Sequence, residues 1–506
     1  MHNNSSVIVG AGPAGLTAAY ELAKNGITPL VLEKAQQVGG ISRTQTYKGY
    51  RFDIGGHRFF TKVGEVEALW HEILGDDFIK VPRLSRIFYE GKFYPYPLKL
   101  RETLKNLGPV ESARILASYL WTQVREPYPH PENLEEWVTN RFGDRLYRTF
   151  FKTYTEKVWG IPCTEIRADW AAQRIKGLSL KRAVLQAITR QSDETSLIEE
   201  FNYPVHGPGM MWERCADHIE TMGGSVELGT EVVSLRHDGH RIVTVVARDQ
   251  DGDEREICAE HVINSMPINH LVRRLDPAPP DDVLAAAGSL AYRDFLIVAL
   301  VVDKKHLFPD NWIYVHSPEV MVGRIQNFKN WSPAMVPDPS MTCLGMEYFC
   351  NSGDDLWQRD DSDLIAMAAR EMQQIGLADE TDVIDGTVIR QPMAYPVYDG
   401  EYRRHLDVIR AYLDQFENLQ TTGRAGMHQY NNQDHSMLTA LLAVRNILGE
   451  KHDLWSVNVE RSYHEDFTVD EAREKARSLA HARSRDRNGL TPSGSSPPQP
   501  RNLVKA

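Results

Sequence analysis

Gly10, Gly12 and Gly15 in "VIVGAGPAGLTAAYELAKNG" have the spacing G-x-G-x-x-G, and each glycine answers a separate requirement of phosphate binding. The first permits a tight turn, the second lets a pyrophosphate reach the backbone, and the third lets a helix pack close to a strand. Glu33 follows at the end of the next apolar run, where a carboxylate accepts hydrogen bonds from an unphosphorylated adenosine ribose. This is dinucleotide chemistry, and it leaves NAD and FAD both open. Further along, "DIGGHRFF" sets Gly55 and Gly56 before His57, so that a close backbone approach sits beside an imidazole able to donate or accept a proton.

Such residues need elements to carry them. Residues 7–9 read as a strand, 13–25 as a helix ended by Gly26, and 28–32 as a second strand. The result is a βαβ unit whose helix N-terminus offers N–H donors to a phosphate. Residues 98–119, 134–154 and 168–190 read as helices rich in Trp, Tyr and Phe. Short alternating strands occupy 224–264, with turns at Asp238-Gly239 and Asp251-Gly252. Further strand candidates, "FLIVALVVD", "MVGRIQNF" and "MTCLGMEYF", fall within 295–395.

Composition narrows the class. With 506 residues, 42% hydrophobic and 25% charged, the chain is globular and too long for one simple core. A net charge of -12 argues against a nucleic-acid polymer as partner and requires any anionic ligand to be held by local cations. Cys163, Cys215, Cys258, Cys343 and Cys350 lack CxxC spacing, which points to reduced thiols, no thiolate metal site and a cytoplasmic address. We expect no metal. "MHNNSSVIVG" lacks a basic stretch followed by an apolar run and no apolar window is long enough for a membrane span, so we expect an unexported protein. Residues 481–506, rich in Pro, Ser, Gly and Arg, are expected to be a disordered tail.

The segment "EKAQQVGGISRT" resembles the second glycine signature of the FAD-dependent superfamily that contains amine oxidases, protoporphyrinogen oxidase, phytoene desaturases and UDP-galactopyranose mutases. The resemblance makes FAD the expected cofactor, with Gly39, Gly40, Ser42 and Arg43 near its phosphates, Gly55, Gly56 and His57 against the flavin ring, and Val232 in the cofactor domain. Several segments are similar to the mutases in particular. "FFKTYTEKVWG" brings Trp159 to a sugar-binding cleft, and "DWAAQRI" and "GRIQNFKNWSP" supply Arg174 and Arg324 as a pair of guanidinium forks for a diphosphate. "FNYPVHGPGMMWERCADHI" corresponds to a helix, starting near Met210, that supports the flavin. "MAYPVYDGEY" contributes Tyr395, whose hydroxyl faces substrate phosphates. "TTGRAGMHQYNNQDHSM" resembles the C-terminal flavin segment, with Gly423, Arg424 and Tyr430 followed by Asn432, Gln433, Asp434, His435 and Ser436 at a helix start facing the cofactor. One departure is Asn327, where bacterial mutases have an acid.

The implied fold is α/β: a Rossmann-like FAD-binding domain in three parts (1–97, 201–290 and 413–465), interleaved with a helical insert (98–200) and a mixed-sheet substrate domain (291–412), before a C-terminal helix and tail (466–506). The implied activity is a nucleotide-sugar mutase interconverting pyranose and furanose forms, with reduced flavin as nucleophile at the anomeric carbon and NAD(P)H as a possible external reductant. In that scheme His57, Arg174 and Arg324 are catalytic, while Trp159, Tyr395 and Tyr430 bind substrate. The alternative is an FAD-dependent oxidase or dehydrogenase that removes hydride from an amine, porphyrinogen or isoprenoid. Nucleotide, sugar and oligomeric state stay open.

Overall fold

The computed structural model describes residues 6–458 apart from 97, 99, 126 and 169–199. Arg174, the helix expected over 168–190 and the tail from 466 onward therefore lie outside, or almost wholly outside, the described residues.

Short apolar runs form the centre of a parallel sheet, where Ser6–Val9 is buried on both faces. Its order is Leu419–Thr421, His261–Asn264, Ser6–Val9, Pro29–Glu33, Ser225–Leu228, and every pairing is parallel. Three stretches far apart in sequence thus share one sheet. The helices Pro13–Lys24, Gly209–Thr221 and Gln433–Ile447 pack on it around Leu16, Trp212 and Val444. A four-stranded sheet, Glu231–His237, Ile242–Arg248 and Glu254–Cys258 with Leu275–Asp276, packs on its opposite face, with Val232, Leu235 and Val245 clustered with Val7, Val9 and Leu32.

The second large sheet has seven strands in the order Val383–Pro396, Tyr292–Val302, Thr342–Cys350, Arg324–Asn327, Trp312–Val315, Ser85–Tyr89, Lys92–Pro95. The strand Tyr292–Val302 lies between Val383–Pro396 and Thr342–Cys350 and is almost wholly buried, as "FLIVALVV" requires. The last two strands come from within the stretch 1–97 expected to be wholly cofactor-binding. They form a hairpin across Glu90 and Gly91, both left-handed, and the partner of Ser85–Tyr89 is the distant Trp312–Val315, in parallel. Nothing local in "LSRIFYEGKFYPY" announces that partner.

The helical layer is more broken than its periodicity suggests. The stretch 98–119 becomes Leu100–Leu107 and Pro109–Arg125, separated by left-handed Gly108 and the proline after it. The stretch 134–154 becomes Leu134–Phe142 and Asp144–Tyr147, followed by a π-helical turn at Arg148–Lys152 and the helix Thr153–Trp159. Gly143 makes the first break. A Cβ there would lie 2.9 Å from the Tyr119 backbone nitrogen, so glycine permits the two helices to cross closely.

Candidate active site

A cavity of about 1710 Å³ runs between the parallel sheet and the seven-stranded sheet. Ligand pockets commonly measure about 300–1,000 Å³, so there is room for a large cofactor and a second ligand. One end is walled by backbone. Gly10 turns the chain at φ +98°, and a Cβ on Gly15 would sit 1.8 Å from the Gly10 carbonyl oxygen, so Gly15 serves the packing of turn against helix. Gly12 differs. A Cβ there would meet only Gly40, at 3.9 Å, so the chain itself has room for a methyl and the bare backbone serves whatever occupies the cavity. Gly12 also caps the helix Pro13–Lys24 without a side-chain hydrogen bond, leaving first-turn N–H groups at the cavity wall. Gly40, left-handed at φ +55°, faces it from the second glycine loop.

Glu33 lines this end while its carboxylate accepts from the backbone N–H groups of Ala11 at 2.7 Å and Ala35 at 2.9 Å. A carboxylate has about four lone-pair sites, so it can brace the glycine turn and still accept a ribose hydroxyl. Ser42, Val232, Gly423, Asp434 and Ser436 also line the cavity. Facing bare backbone loops, an acid at the strand end and a second helix start at Asn432 together fit a dinucleotide such as FAD.

Gly15, Gly39, Arg43 and His435 stand outside the lining. The Arg43 guanidinium donates to the Gly40 carbonyl at 2.7 Å and to Gln391 Oε1 at 2.8 Å, tying the second glycine loop to the seven-stranded sheet. His435 joins a capping box: its Nδ1 accepts the Asn432 backbone N–H at 3.3 Å, and the Asn432 side chain accepts the His435 N–H.

The middle of the cavity carries Gly55, Gly56 and His57. A Cβ on Gly56 would lie 2.8 Å from Gln326 Nε2, so this glycine brings the loop onto the sheet. His57 Nε2 is 2.8 Å from the Ile54 carbonyl; since that oxygen only accepts, Nε2 carries the hydrogen. Burial, followed by the nearby charges of Arg424 and Arg324, pushes the imidazole down to about 4 and keeps it neutral at pH 7.

The far end is built from side chains set by strand register. Tyr314 stands opposite Arg324, and Arg324 opposite Glu347; in the next row Trp312 stands opposite Gln326. Arg324 Nε donates to Glu347 Oε2 at 2.6 Å, and Gln326 Nε2 donates to Glu347 Oε1 at 2.9 Å. Burial opposes the Arg324 charge, but Glu347 beside it holds the guanidinium well above its usual range. Arg324 lines the cavity as part of a buried ion pair with Glu347, and Arg174, its expected companion, lies outside the described residues.

Trp159, Tyr395 and Tyr430 come together from three segments. The two tyrosines stack with centroids 5.6 Å apart, and Trp159 lies 6.4 and 6.0 Å from them. Arg424 lies 4.8 Å from the Tyr430 ring centre and donates to the Asn431 carbonyl at 2.8 Å. Left-handed Gly160 ends the helix that bears Trp159, and a Cβ there would collide with the Arg293 guanidinium.

Several cavity residues escaped the sequence reading. Arg58 follows His57 directly and was within reach of it. Tyr154, stacked on His316 at 4.6 Å, lay in the quoted segment before Trp159. Glu347, buried behind Arg324 rather than in the lining, had a signal, an acid within the apolar run "MTCLGMEYF", where only a paired carboxylate is tolerated. Arg83 had none, because its place depends on the distant Trp312. Among the described residues no cluster of three or more His, Cys, Asp or Glu could hold a metal, and no helix is long and apolar enough to cross a membrane.

Comparison with known proteins bears on this site. A family described as flavin containing amine oxidoreductase matches residues 13–448. A Klebsiella pneumoniae protein named "Probable UDP-galactopyranose mutase" is 27% identical over 33% of this chain and 44% of its own length. The dTDP-fucopyranose mutase of Escherichia coli is 26% identical over the same shares. The match thus spans less than half the length of either relative. The crystal structure of a reduced UDP-galactopyranose mutase superimposes with a TM-score of 0.79, at 21% identity, covering 91% of this chain and 99% of that one.

Proposed function

Because the chain belongs to the flavin-containing amine oxidoreductase family, we propose that it is an FAD-dependent nucleotide-sugar mutase, interconverting pyranose and furanose rings. The observation that carries this reading is the convergence of Trp159, Tyr395 and Tyr430 with Arg324 and Arg424 beside His57 in one cavity. Stacked aromatic faces suit the apolar face of a sugar ring, while guanidinium groups suit a diphosphate.

Gly10, Gly12, Glu33, Gly40, Ser42, Val232 and Gly423 would hold FAD, with the Asn432 helix start toward the flavin. Bound in reduced form, FAD supplies a nucleophilic ring nitrogen at the anomeric carbon. The protein's own groups do the remainder. Trp159 and Tyr430 orient the sugar and exclude water. Tyr395 keeps its phenolic proton, because burial raises its pKa, and can donate to a phosphate oxygen. Arg324 stabilises charge on the departing diphosphate; Glu347 fixes its direction and limits the positive field. His57, neutral with its hydrogen on Nε2, orders the Gly55-Gly56 turn and tunes the polarity beside the flavin.

Anaerobic incubation of dithionite-reduced protein with a panel of UDP- and dTDP-sugars tests the reading. The expected outcome is ring-contracted product without net flavin oxidation. Oxygen consumption with an amine, porphyrinogen or polyene, and no ring-contracted sugar, would replace it with the oxidase reading.

A further inference from the structure

The helix Pro109–Arg125 is apolar on two opposite sides. Ile115 and Tyr119 point inward, to the same core as Phe150 and Trp159 of the cavity wall. Outward, at helical spacing, stand Val110, Leu116, Leu120, Trp121 and Val124, with the exposed Ala113 and Ala117 between them; Trp121 is 63% exposed and Val124 85%. At 3.6 residues per turn this outward stripe is about 140° wide, and Arg114, Gln123 and Arg125 fall at its edges rather than within it.

A helix apolar all round belongs in an interior. The stripe presents roughly 600 Å² to solvent, the upper limit for the largest apolar patch of a monomer. Two copies laid face to face would remove roughly 1,200 Å² from water, the area at which stable, specific interfaces begin.

The charges along the stripe favour the stripe itself as its complement. Glu111, Arg114 and Arg125 share one edge, with the acid in the first turn and Arg125 in the last. When two such helices lie antiparallel about a two-fold axis near Ala117 and Ser118, Arg125 meets Glu111 of the partner subunit, and Arg114 meets the indole of Trp121 of the partner subunit. The same register sets the helix dipoles head to tail. A parallel pairing would instead set Arg125 on its own copy. Glu111 is already paired with Arg145 of its own chain, and a carboxylate has lone pairs for a second guanidinium.

We infer that this face binds a second copy of the chain, forming a two-fold dimer across antiparallel Pro109–Arg125 helices. A lipid surface fits less well, because an interfacial helix turns a basic, solvated face away from the membrane, whereas here the opposite face is core.

Sedimentation velocity of the flavin-loaded full chain at micromolar concentration should give twice the chain mass. Leu120→Asp and, separately, Trp121→Glu change exposed side chains, so each should keep the flavin content and circular dichroism of wild type. Since the two-fold repeats each change, each should weaken association about 100-fold or more. Orientation is read by cross-linking. In a Cys258→Ser background, Ala117→Cys should form an inter-chain disulfide on mild oxidation, and Val110→Cys, roughly 20 Å from its own copy in this register, should not. A wild-type monomer overturns the inference, and its flotation with phosphatidylglycerol vesicles would make lipid the occupant. A dimer that survives both Leu120→Asp and Trp121→Glu overturns it by placing the contact elsewhere. No disulfide through Ala117→Cys, or one through Val110→Cys, overturns the antiparallel register.

Discussion

The two ends of the cavity are made of different material. At the glycine end the contact surface is backbone apart from the Glu33 carboxylate: Gly10, Gly12 and Gly40 contribute by lacking a side chain, and their positions are set within one βαβ unit and the loop after it. At the far end the surface is side chain: Arg324 and Tyr395 arrive from strands, Trp159 from a helix and Tyr430 from a loop, and Glu347 holds Arg324 from beneath the surface. The first kind of wall should tolerate no addition. The second should tolerate changes of shape but not an unbalanced charge. Gly15→Val is the largest test, since its Cβ would lie 1.8 Å from a backbone oxygen that cannot yield, and little folded, flavin-bearing protein should be recovered. Gly12→Ala sharpens the point. It should fold with an unchanged melting temperature but bind flavin weakly, as read from absorbance per chain; a melting temperature lowered as far as for Gly15→Val would show that Gly12 also serves the fold.

The far end should answer to charge. Glu347→Ala leaves the Arg324 guanidinium buried without its carboxylate, a change that costs about 3–5 kcal/mol in comparable sites and should appear as a lower urea midpoint. Replacing both residues, Glu347→Met with Arg324→Met, should recover most of that loss because no buried charge remains. If the double variant is as unstable as the single one, shape rather than charge balance governs this wall.

That contrast also explains what was legible in the sequence. The glycine turn, Glu33 and the second glycine loop could be located because the spacing that makes them work lies within a few dozen residues. The first two strands of the parallel sheet follow from the same local signals, while Ser225–Leu228, His261–Asn264 and Leu419–Thr421 join them from far along the chain. The Arg324–Glu347 row could not be found that way: its partners are set by register between Arg324–Asn327 and Thr342–Cys350, and local spacing does not encode register. The hairpin Ser85–Tyr89 and Lys92–Pro95 was placed with the cofactor segment for the same reason. Arg43 shows the opposite failure. Its motif was recognised, but its side chain is drawn to Gln391, a residue of another sheet.

Protonation offers a smaller test. Burial, aided by Lys157, pushes His316 down to about 3, and burial with Arg424 and Arg324 pushes His57 down to about 4. Both are neutral in the folded chain, whereas an unfolded histidine takes a proton near pH 6.5. The unfolded state therefore binds more protons below that value, so this stability is full above about pH 6.5 and is lost as the pH falls toward the folded values. By pH 5 each histidine removes about 2 kcal/mol. Asp53 acts in the other direction. Burial, outweighing its bonds from Tyr203 and Thr44, pushes it up to about 7, so the folded chain takes its proton first and gains stability as the pH falls. Comparing variants isolates one group: between pH 7 and pH 5, His316→Asn should lose about 2 kcal/mol less than wild type in urea unfolding. An equal loss would place the acid sensitivity elsewhere.

The smallest effect falls where the two kinds of wall meet, at the start of the helix Gln433–Ile447. Family resemblance assigns His435 to the cofactor, while its Nδ1 accepts the Asn432 N–H, a capping contact that needs no ligand. Removing one half of a capping box costs roughly 0.5–1 kcal/mol, so His435→Ala should lower the melting temperature by a few degrees at most. Because His435 stands outside the cavity lining, flavin affinity measured by titrating the apoprotein should stay within twofold of wild type. A fall of tenfold or more without a matching loss of stability would move His435 into the cofactor wall, and would mean that the cofactor relies on a side chain here as it does at Glu33.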